Sequence, residues 1–371
     1  MNLEKIIFVI KKFFINSKVL NIEQINLGHI NNTYLVEHLY NGNKSKFILQ
    51  SLSNIFESHE IVNMNHKLIT DHINKKTNKN RLEFHNQRWD SPDLIKCQAN
   101  NLFAFPFESD FWRAMLYIDR TFSSNFLEDR IMAYQTGLGL AKFHMIYSDF
   151  DCSKLKTSIK NFHNTKYYID QYNNTIKNLD LSKLDKNINL RIQNLMYMLS
   201  DHIRYIEPLY ISLKSKIINF NVIHGDPKLS NFLFDIQSKY VVSLVDLDTV
   251  TSGYLLTDIA DCIRSACNLS GEDPENIDSV YFDTNSCRYL LKGYFSLNNE
   301  RDKDNFKFLP EFIYIIIFEL TIRFLTDFLQ SNKYFKIKYE THNLFRAESQ
   351  YRLLSSFLIQ ISNFLNELND M

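Results

Sequence analysis

The chain has 371 residues, 45% of them hydrophobic and 23% charged, and its 42 basic residues balance 42 acidic ones. This length exceeds the roughly 250 to 300 residues that one core usually reaches, so two domains are expected, and the composition excludes a disordered or fibrous chain. The charge balance gives no overall field that would recruit nucleic acid or an anionic membrane, so partners must be argued from a site. Five cysteines without a C-x-x-C pair signal neither a disulfide framework nor a zinc site. Reduced thiols and a cytoplasmic protein are the expectation.

At the N-terminus, "MNLEKIIFVIKKFFIN" breaks its apolar run at Lys11 and Lys12, too soon for a signal peptide or a membrane span. A short amphipathic helix packed on the body is expected. Residues 22 to 50 hold two strand-like pieces, "INNTYLVEHLY" and "SKFILQSL", joined by "NGNK", whose Asn-Gly pair signals a hairpin. From 57 to 76, Ile61, Met64, Leu68, Ile69 and Ile73 recur at helical spacing, and this stripe predicts a helix covering the sheet. "NNLFAFPF" and "DFWRAMLYID" add two more strands, so the first 118 residues read β-β-α-β-β, an α+β domain.

After "DRTFSS" the strand signals vanish. Helical patterns dominate 125 to 218 and resume from about 256, separated by a strand-rich island over 219 to 250. The longest apolar run, "FIYIIIF", is bounded by Glu311 and Glu319 and reads as a core helix. Domains are therefore expected at 1–118 and 119–371, with a hinge near 117–122.

The island carries the chemistry. "VIHGDPKLSNFLFD" is followed by "VVSLVDLDT", which sets His224, Asp226, Lys228, Asn231, Asp246 and Asp248 among strand-forming residues. Read as strands joined by turns, the segment points Asp246 and Asp248 to one side, toward the turn bearing Asp226 and Asn231. Carboxylates with an amide oxygen and no thiol suit Mg²⁺ and not Zn²⁺. The order and spacing of Asp226, Lys228, Asn231 and Asp246 are those of kinase-type phosphoryl transfer. That reaction needs a carboxylate for the attacking hydroxyl, an amide and a carboxylate for the metal, and a cation for the phosphoryl group. Asp248 reads either as a metal or substrate contact or as a loop-capping carboxylate. His224 reads as a structural histidine that fixes the loop.

With these motifs the sequence resembles the aminoglycoside phosphotransferase and choline kinase superfamily, whose fold is protein-kinase-like, and within it the N-acetylhexosamine 1-kinases. The resemblance rests on "NLGHINNTYLV", "FILQ", "FWRAMLYID", "GLGLAKFH", "KNFHNT", "HGDPKLSN", "LVDLDT", "IRFLTDFLQSNKYFK" and "HNLFRAESQ". It implies a bilobal α+β fold, with a small sheet-plus-helix lobe that binds nucleotide and a large, mainly helical lobe that carries the β-island. It implies ATP and Mg²⁺ as cofactors, Asp226 as catalytic base, Lys228 facing the transferred phosphoryl, and Asn231 and Asp246, with Asp248, at the metal.

"NLGHINNTY" would lie over the ATP phosphates. It has the single glycine Gly28, so Asn31, Asn32 and Thr33 must supply contacts. Where most of the superfamily carries a phosphate-binding lysine this chain has Gln50, which leaves the phosphate cation unassigned; Lys46 is too far along the strand. Tyr117 reads as a core or adenine-wall residue. The acceptor pocket would draw on His163, Arg323, Asp327, Asn343 and Arg346, although Arg323 and Asp327, four apart on a helix, could equally pair with each other.

The acceptor implied is a sugar, at the anomeric hydroxyl of an N-acetylhexosamine. The alternatives are choline, an aminoglycoside or another amino alcohol, or a degenerate kinase acting as a regulator. No nucleic-acid or membrane partner is expected, and the oligomeric state is not readable.

Overall fold

The computed structural model describes residues 3–25, 30–77, 81–84, 87–180, 184–216, 220–297 and 305–369. Helix α1 (Leu3–Phe13) buries Ile6, Val9, Ile10 and Phe13 at three- and four-residue spacing, as the amphipathic reading of the N-terminus requires. Strands β1 (Lys18–Ile25), β2 (Asn32–Tyr40) and β3 (Asn43–Leu52) follow. The β2–β3 turn places Asn41 and Gly42 both at positive φ, the backbone that the Asn-Gly pair favours. Strand β1 was not legible in the sequence because it buries almost nothing and shows no two-residue alternation.

Helix α2 (His59–Thr77) stands where the apolar spacing predicts it. Its buried face, however, is Val62, Asn65, His66, Ile69 and Ile73, while Ile61, Met64 and Leu68 are only half-buried. Asn65 and His66 are tolerated there because each reaches a backbone carbonyl. Asn65 Nδ2 donates to the Lys156 carbonyl at 2.6 Å, and His66 Nε2 meets the Pro92 carbonyl at 2.7 Å.

Short strands β4 (Arg81–Phe84), β5 (Gln87–Asp90), β6 (Leu94–Ile95) and β7 (Phe105–Phe107) lead to β8 (Asp110–Leu116) and β9 (Thr121–Phe122). The main sheet is antiparallel in the order β1-β2-β3-β8-β6, with β7 on the free stretch of β8. One face packs on α1 through Tyr34, Val36, Phe47, Leu49, Trp112 and Ala114. Each fully buried side chain of this kind contributes roughly 1.5–3 kcal/mol.

The rest of the chain is mainly helical: α3 (Arg130–Ile146), α4 (Thr165–Lys177) and α5 (Lys186–Lys216), then strands β10 (Asn221–Ile223), β11 (Phe232–Asp235), β12 (Val241–Leu244) and β13 (Thr251–Gly253), then α6 (Leu255–Ala266), α7 (Thr284–Phe295), α8 (Leu309–Leu329) and α9 (His342–Asn369). The island is not one three-stranded piece: β10 pairs with β13, whereas β11 lies between β12 and β9. Helix α8 contains the apolar run and is buried along most of its length. Helices α3 and α7 cross at glycines: a methyl group on Gly137 would stand 1.8 Å from the Leu290 carbonyl oxygen, and one on Gly293 1.9 Å from that of Tyr134. Among the described residues no helix is long and apolar enough to cross a membrane, and all five cysteines are free.

The chain forms two compact units. The first comprises Met1–Phe122, Ile146–Lys160 and Asn231–Thr251; the second comprises Ser123–Met145, Asn161–Ser230 and Ser252–Met371.

Candidate active site

In the second unit, β10 delivers the chain into His224-Gly225-Asp226, and Gly225 turns at φ 86°, a backbone that costs a side-chain-bearing residue far more. The turn is held by Asp258 in the first turn of α6, a carboxylate with 0% exposure. It accepts from the backbone N–H of His224 at 2.6 Å, from that of Gly225 at 2.8 Å and from His144 Nε2 at 3.0 Å. The Asp258 carboxylate, an acceptor, takes the Nε2–H, and the other ring nitrogen of His144 meets the Tyr294 hydroxyl at 2.8 Å. His224 is itself buried, and its Nδ1 accepts from the Asp226 N–H at 3.3 Å. The loop backbone is thus fixed from three sides, leaving the Asp226 carboxylate 27% exposed with Lys228 Nζ 2.9 Å away.

His163 also serves this loop. Its Nε2 lies 2.7 Å from the Gly225 carbonyl and its Nδ1 3.2 Å from Glu319 Oε1. Both partners are acceptors, so both ring nitrogens carry protons and the imidazole is cationic. Burial opposes that charge, but the Glu319 carboxylate, the Asp261 charge and the Gly225 carbonyl outweigh it and raise the His163 pKa above its ordinary value. Glu319 Oε2 accepts from the Thr165 hydroxyl at 3.0 Å. Asp261, one turn along α6 from Asp258, has its pKa raised by burial despite its pairing with Arg264 at 2.7 Å.

The remaining acceptor candidates separate into two groups. The Arg323 guanidinium stands among four rings: Tyr168 at 4.8 Å, Phe162 at 5.4 Å, Phe335 at 5.5 Å and Tyr334 at 5.6 Å from its centre. Burial works against its charge, yet Tyr168, Tyr334, Glu319 and Asp226 raise its pKa further, so the field of the Asp226 carboxylate reaches it.

Asp327 is not its partner. That carboxylate accepts from the Tyr334 N–H at 2.8 Å, the Phe335 N–H at 3.0 Å and Asn343 Nδ2 at 2.9 Å. Arg346 grips Asp273 through Nε at 2.6 Å and Nη2 at 3.1 Å, and donates to the Lys336 carbonyl at 2.9 Å and to Asn343 Oδ1 at 3.1 Å. Asp327, Asn343 and Arg346 therefore tie the 330–340 segment to α8 and α9.

In the first unit, the antiparallel β11–β12 pair brings Asn231 and Asp246 to one end of a hairpin, and the Val245 N–H donates to the Asn231 carbonyl at 2.9 Å. Here the strand reading needs correcting. Strand β12 ends at Leu244, Asp246 adopts φ 67°, and Leu247–Thr249 form a 3₁₀ turn. The two-residue alternation that would have aimed Asp246 and Asp248 together does not apply.

Asp248 is instead 3% exposed. Its Oδ1 is ion-paired with Arg113, and its Oδ2 accepts from Asn31 Nδ2 at 2.7 Å. Gln50 stands directly across from Arg113 in the β3–β8 register. Its Oε1 accepts from Arg113 Nε at 2.9 Å and Nη2 at 2.5 Å, and its Nε2 donates to the Thr33 hydroxyl at 3.0 Å. Asn32 begins β2 on the exposed side. Tyr117 is half-buried, with Lys46 Nζ 5.6 Å from its ring centre; Lys46 pairs with Glu37 at 2.9 Å. Gly28 lies outside the described residues.

Sequence reasoning missed Arg113, Asp258, His144 and Glu319. The signal for three of them was a charged residue inside an otherwise apolar element, as in "FWRAML", "LLTDIA" and "IIIFEL".

Residues 219–288 match the family described as APH, phosphotransferase enzyme family. Over most of its length the chain is also similar to solved structures. These include a choline kinase from Cryptosporidium parvum Iowa II (13% identity, TM-score 0.60, covering 100% of this chain and 99% of that one). An ethanolamine kinase from Plasmodium vivax shares 15% identity at TM-score 0.57, covering 94% and 84%. A spectinomycin phosphotransferase solved with ADP and spectinomycin shares 11% at TM-score 0.60, covering 98% and 99%.

The fold is therefore protein-kinase-like. The matched segment, which carries the His224-Gly225-Asp226 turn, Asn231 and Asp246, is similar to a phosphotransferase family. These three structures are of enzymes named for small molecules: choline, ethanolamine and spectinomycin.

Proposed function

We propose that the chain is an ATP- and Mg²⁺-dependent kinase that phosphorylates a sugar hydroxyl, the anomeric hydroxyl of an N-acetylhexosamine. The observation that carries the reaction type is the Asp226 loop. A partly exposed carboxylate sits on a backbone pinned by Asp258, beside Lys228, in the matched family segment. Asp226 would orient the acceptor hydroxyl and take its proton, and the nearby Lys228 ammonium would face the transferred phosphoryl.

Asn231 and Asp246, at one end of the β11–β12 hairpin, fit Mg²⁺, which takes oxygen donors and keeps several of its sites for water and phosphate. When bound, it would neutralise charge on the phosphate oxygens. Asp248, committed to Arg113 and Asn31, is assigned to holding the hairpin and not to the metal.

The choice of a sugar over a cationic acceptor is supported by Arg323. Its guanidinium, within the field of Asp226, would repel a quaternary or primary ammonium, whereas hydroxyl and amide oxygens of a sugar can accept from it. The aromatic rings around it would also suit the apolar face of a sugar ring.

A panel of N-acetylhexosamines, choline, ethanolamine and aminoglycosides, assayed for acceptor-dependent ADP release, tests the reading. N-acetylhexosamine-dependent release is expected. Release with the amines alone would replace the sugar assignment, and none with any acceptor would overturn it.

A further inference from the structure

Gln50 poses a problem for any kinase reading, because the strand position that usually presents an ammonium to the phosphates presents an amide. The neighbouring strand explains why. Arg113 is 1% exposed, stands in register with Gln50, and sends two of its N–H groups to the Gln50 amide oxygen. An ammonium at residue 50 would face that guanidinium at contact distance, and the two cations would repel.

The charge of Arg113 is at the same time spent on Asp248, so the pair is close to neutral as a whole. With its oxygen held by Arg113, Gln50 must turn its amide nitrogen the other way, toward β2, where one hydrogen goes to Thr33. The second hydrogen remains for an acceptor oxygen. Asp248 in turn holds Asn31, whose own Oδ1 accepts from the Ser53 N–H at 2.9 Å. One buried guanidinium therefore fixes Gln50, Asp248 and, through Asp248, Asn31.

We infer that Arg113 is a positioning residue for the nucleotide phosphates, one that replaces the usual strand lysine by orienting the Gln50 amide instead of touching phosphate itself. This rests on the kinase reading above. It also means that the phosphates are met at this strand position by a neutral donor of fixed direction and not by a mobile charge.

The inference is tested with Gln50→Lys, Gln50→Lys combined with Arg113→Met, and Arg113→Lys, measuring Mg-ADP affinity by calorimetry together with KM for ATP and kcat. Gln50→Lys should raise KM for ATP about tenfold or more through repulsion, with a much smaller change in kcat at saturating ATP. The double variant should recover to within about threefold of the parent, because the new ammonium can then pair with Asp248. Arg113→Lys keeps the charge but loses the two-pronged grip on Gln50, and should raise KM for ATP while the protein stays folded. That variant carries the test if Gln50→Lys does not fold.

An unchanged KM in Arg113→Lys, or a double variant no better than Gln50→Lys, overturns the positioning role while leaving the kinase reading intact. Failure of the parent protein to bind Mg-ADP overturns both.

Discussion

Glu319 holds His163 in its cationic form: the carboxylate stands 3.2 Å from Nδ1 while Nε2 is engaged by the Gly225 carbonyl at 2.7 Å, so neither nitrogen can give up its proton without losing a partner. His163 thereby clamps the loop that carries Asp226.

The clamp makes stability depend on pH in a defined direction. The His163 pKa is raised in the folded state, above an unfolded value of about 6.5. A raised pKa means that the folded chain binds the proton more tightly, so this contribution is complete below the unfolded value and is lost as pH rises through the folded one. Thermal unfolding followed from about pH 6 to about pH 9 should show a decline that His163→Gln removes, with a loss of about 1–3 kcal/mol at the acid end. A variant whose pH profile overlays the parent's would show that His163 is not the group titrating.

Replacing Asp226 by Asn removes the proposed proton acceptor without changing shape. Turnover should fall by about two to four orders of magnitude, while the melting temperature stays near that of the parent. Steady-state kinetics beside a thermal scan checks this, and near-full activity would exclude Asp226 as the base.

Asp258 is a different case, because it makes no contact with any reacting group in this account. In Asp258→Asn one of the two oxygens that accept the His224 and Gly225 N–H groups becomes a donor, inside a fully buried site. A loss of about 3–5 kcal/mol in denaturant unfolding is expected, since a buried donor set is left facing another donor.

Arg323→Met tests the ring-lined site. The methionine can still pack among Tyr168, Phe162, Phe335 and Tyr334, so stability should change little. KM for the acceptor should rise about 10- to 100-fold, with KM for ATP unaffected, because a polar contact to the acceptor alone is lost. Equal effects on both substrates would remove Arg323 from the acceptor side.

The order of elements was legible wherever period and turn chemistry agree: the Asn-Gly hairpin, α1, α2 and the buried α8. The His-Gly-Asp loop was legible because several rare residue types fall at fixed spacing. The side-chain partners were not. Asp248 was assigned a direction by strand alternation, which fails once Asp246 takes a left-handed backbone and the chain tightens into a 3₁₀ turn. The α2 stripe was placed only in part, with Ile69 and Ile73 buried but Ile61, Met64 and Leu68 half-buried, because Asn65 and His66 are buried against backbone carbonyls that no local pattern announces. The partners of Asp327 and Arg346, which tie them to the 330–340 segment and to Asp273, are set by long-range packing that no local pattern announces.

The buried guanidinium on β8 also bears on how the sheet finds its alignment. Trp112 and Ala114 face the apolar layer under α1, and Arg113 between them faces the opposite side, toward Asn63 and Asp248. Sliding β8 by a single residue against β3 would drive the guanidinium into that apolar layer and lift the indole out of it, a misalignment with no compensating partner. The ionic network thereby acts with the apolar layer as a registration pin, adding a buried-charge cost to the apolar cost of any slipped pairing.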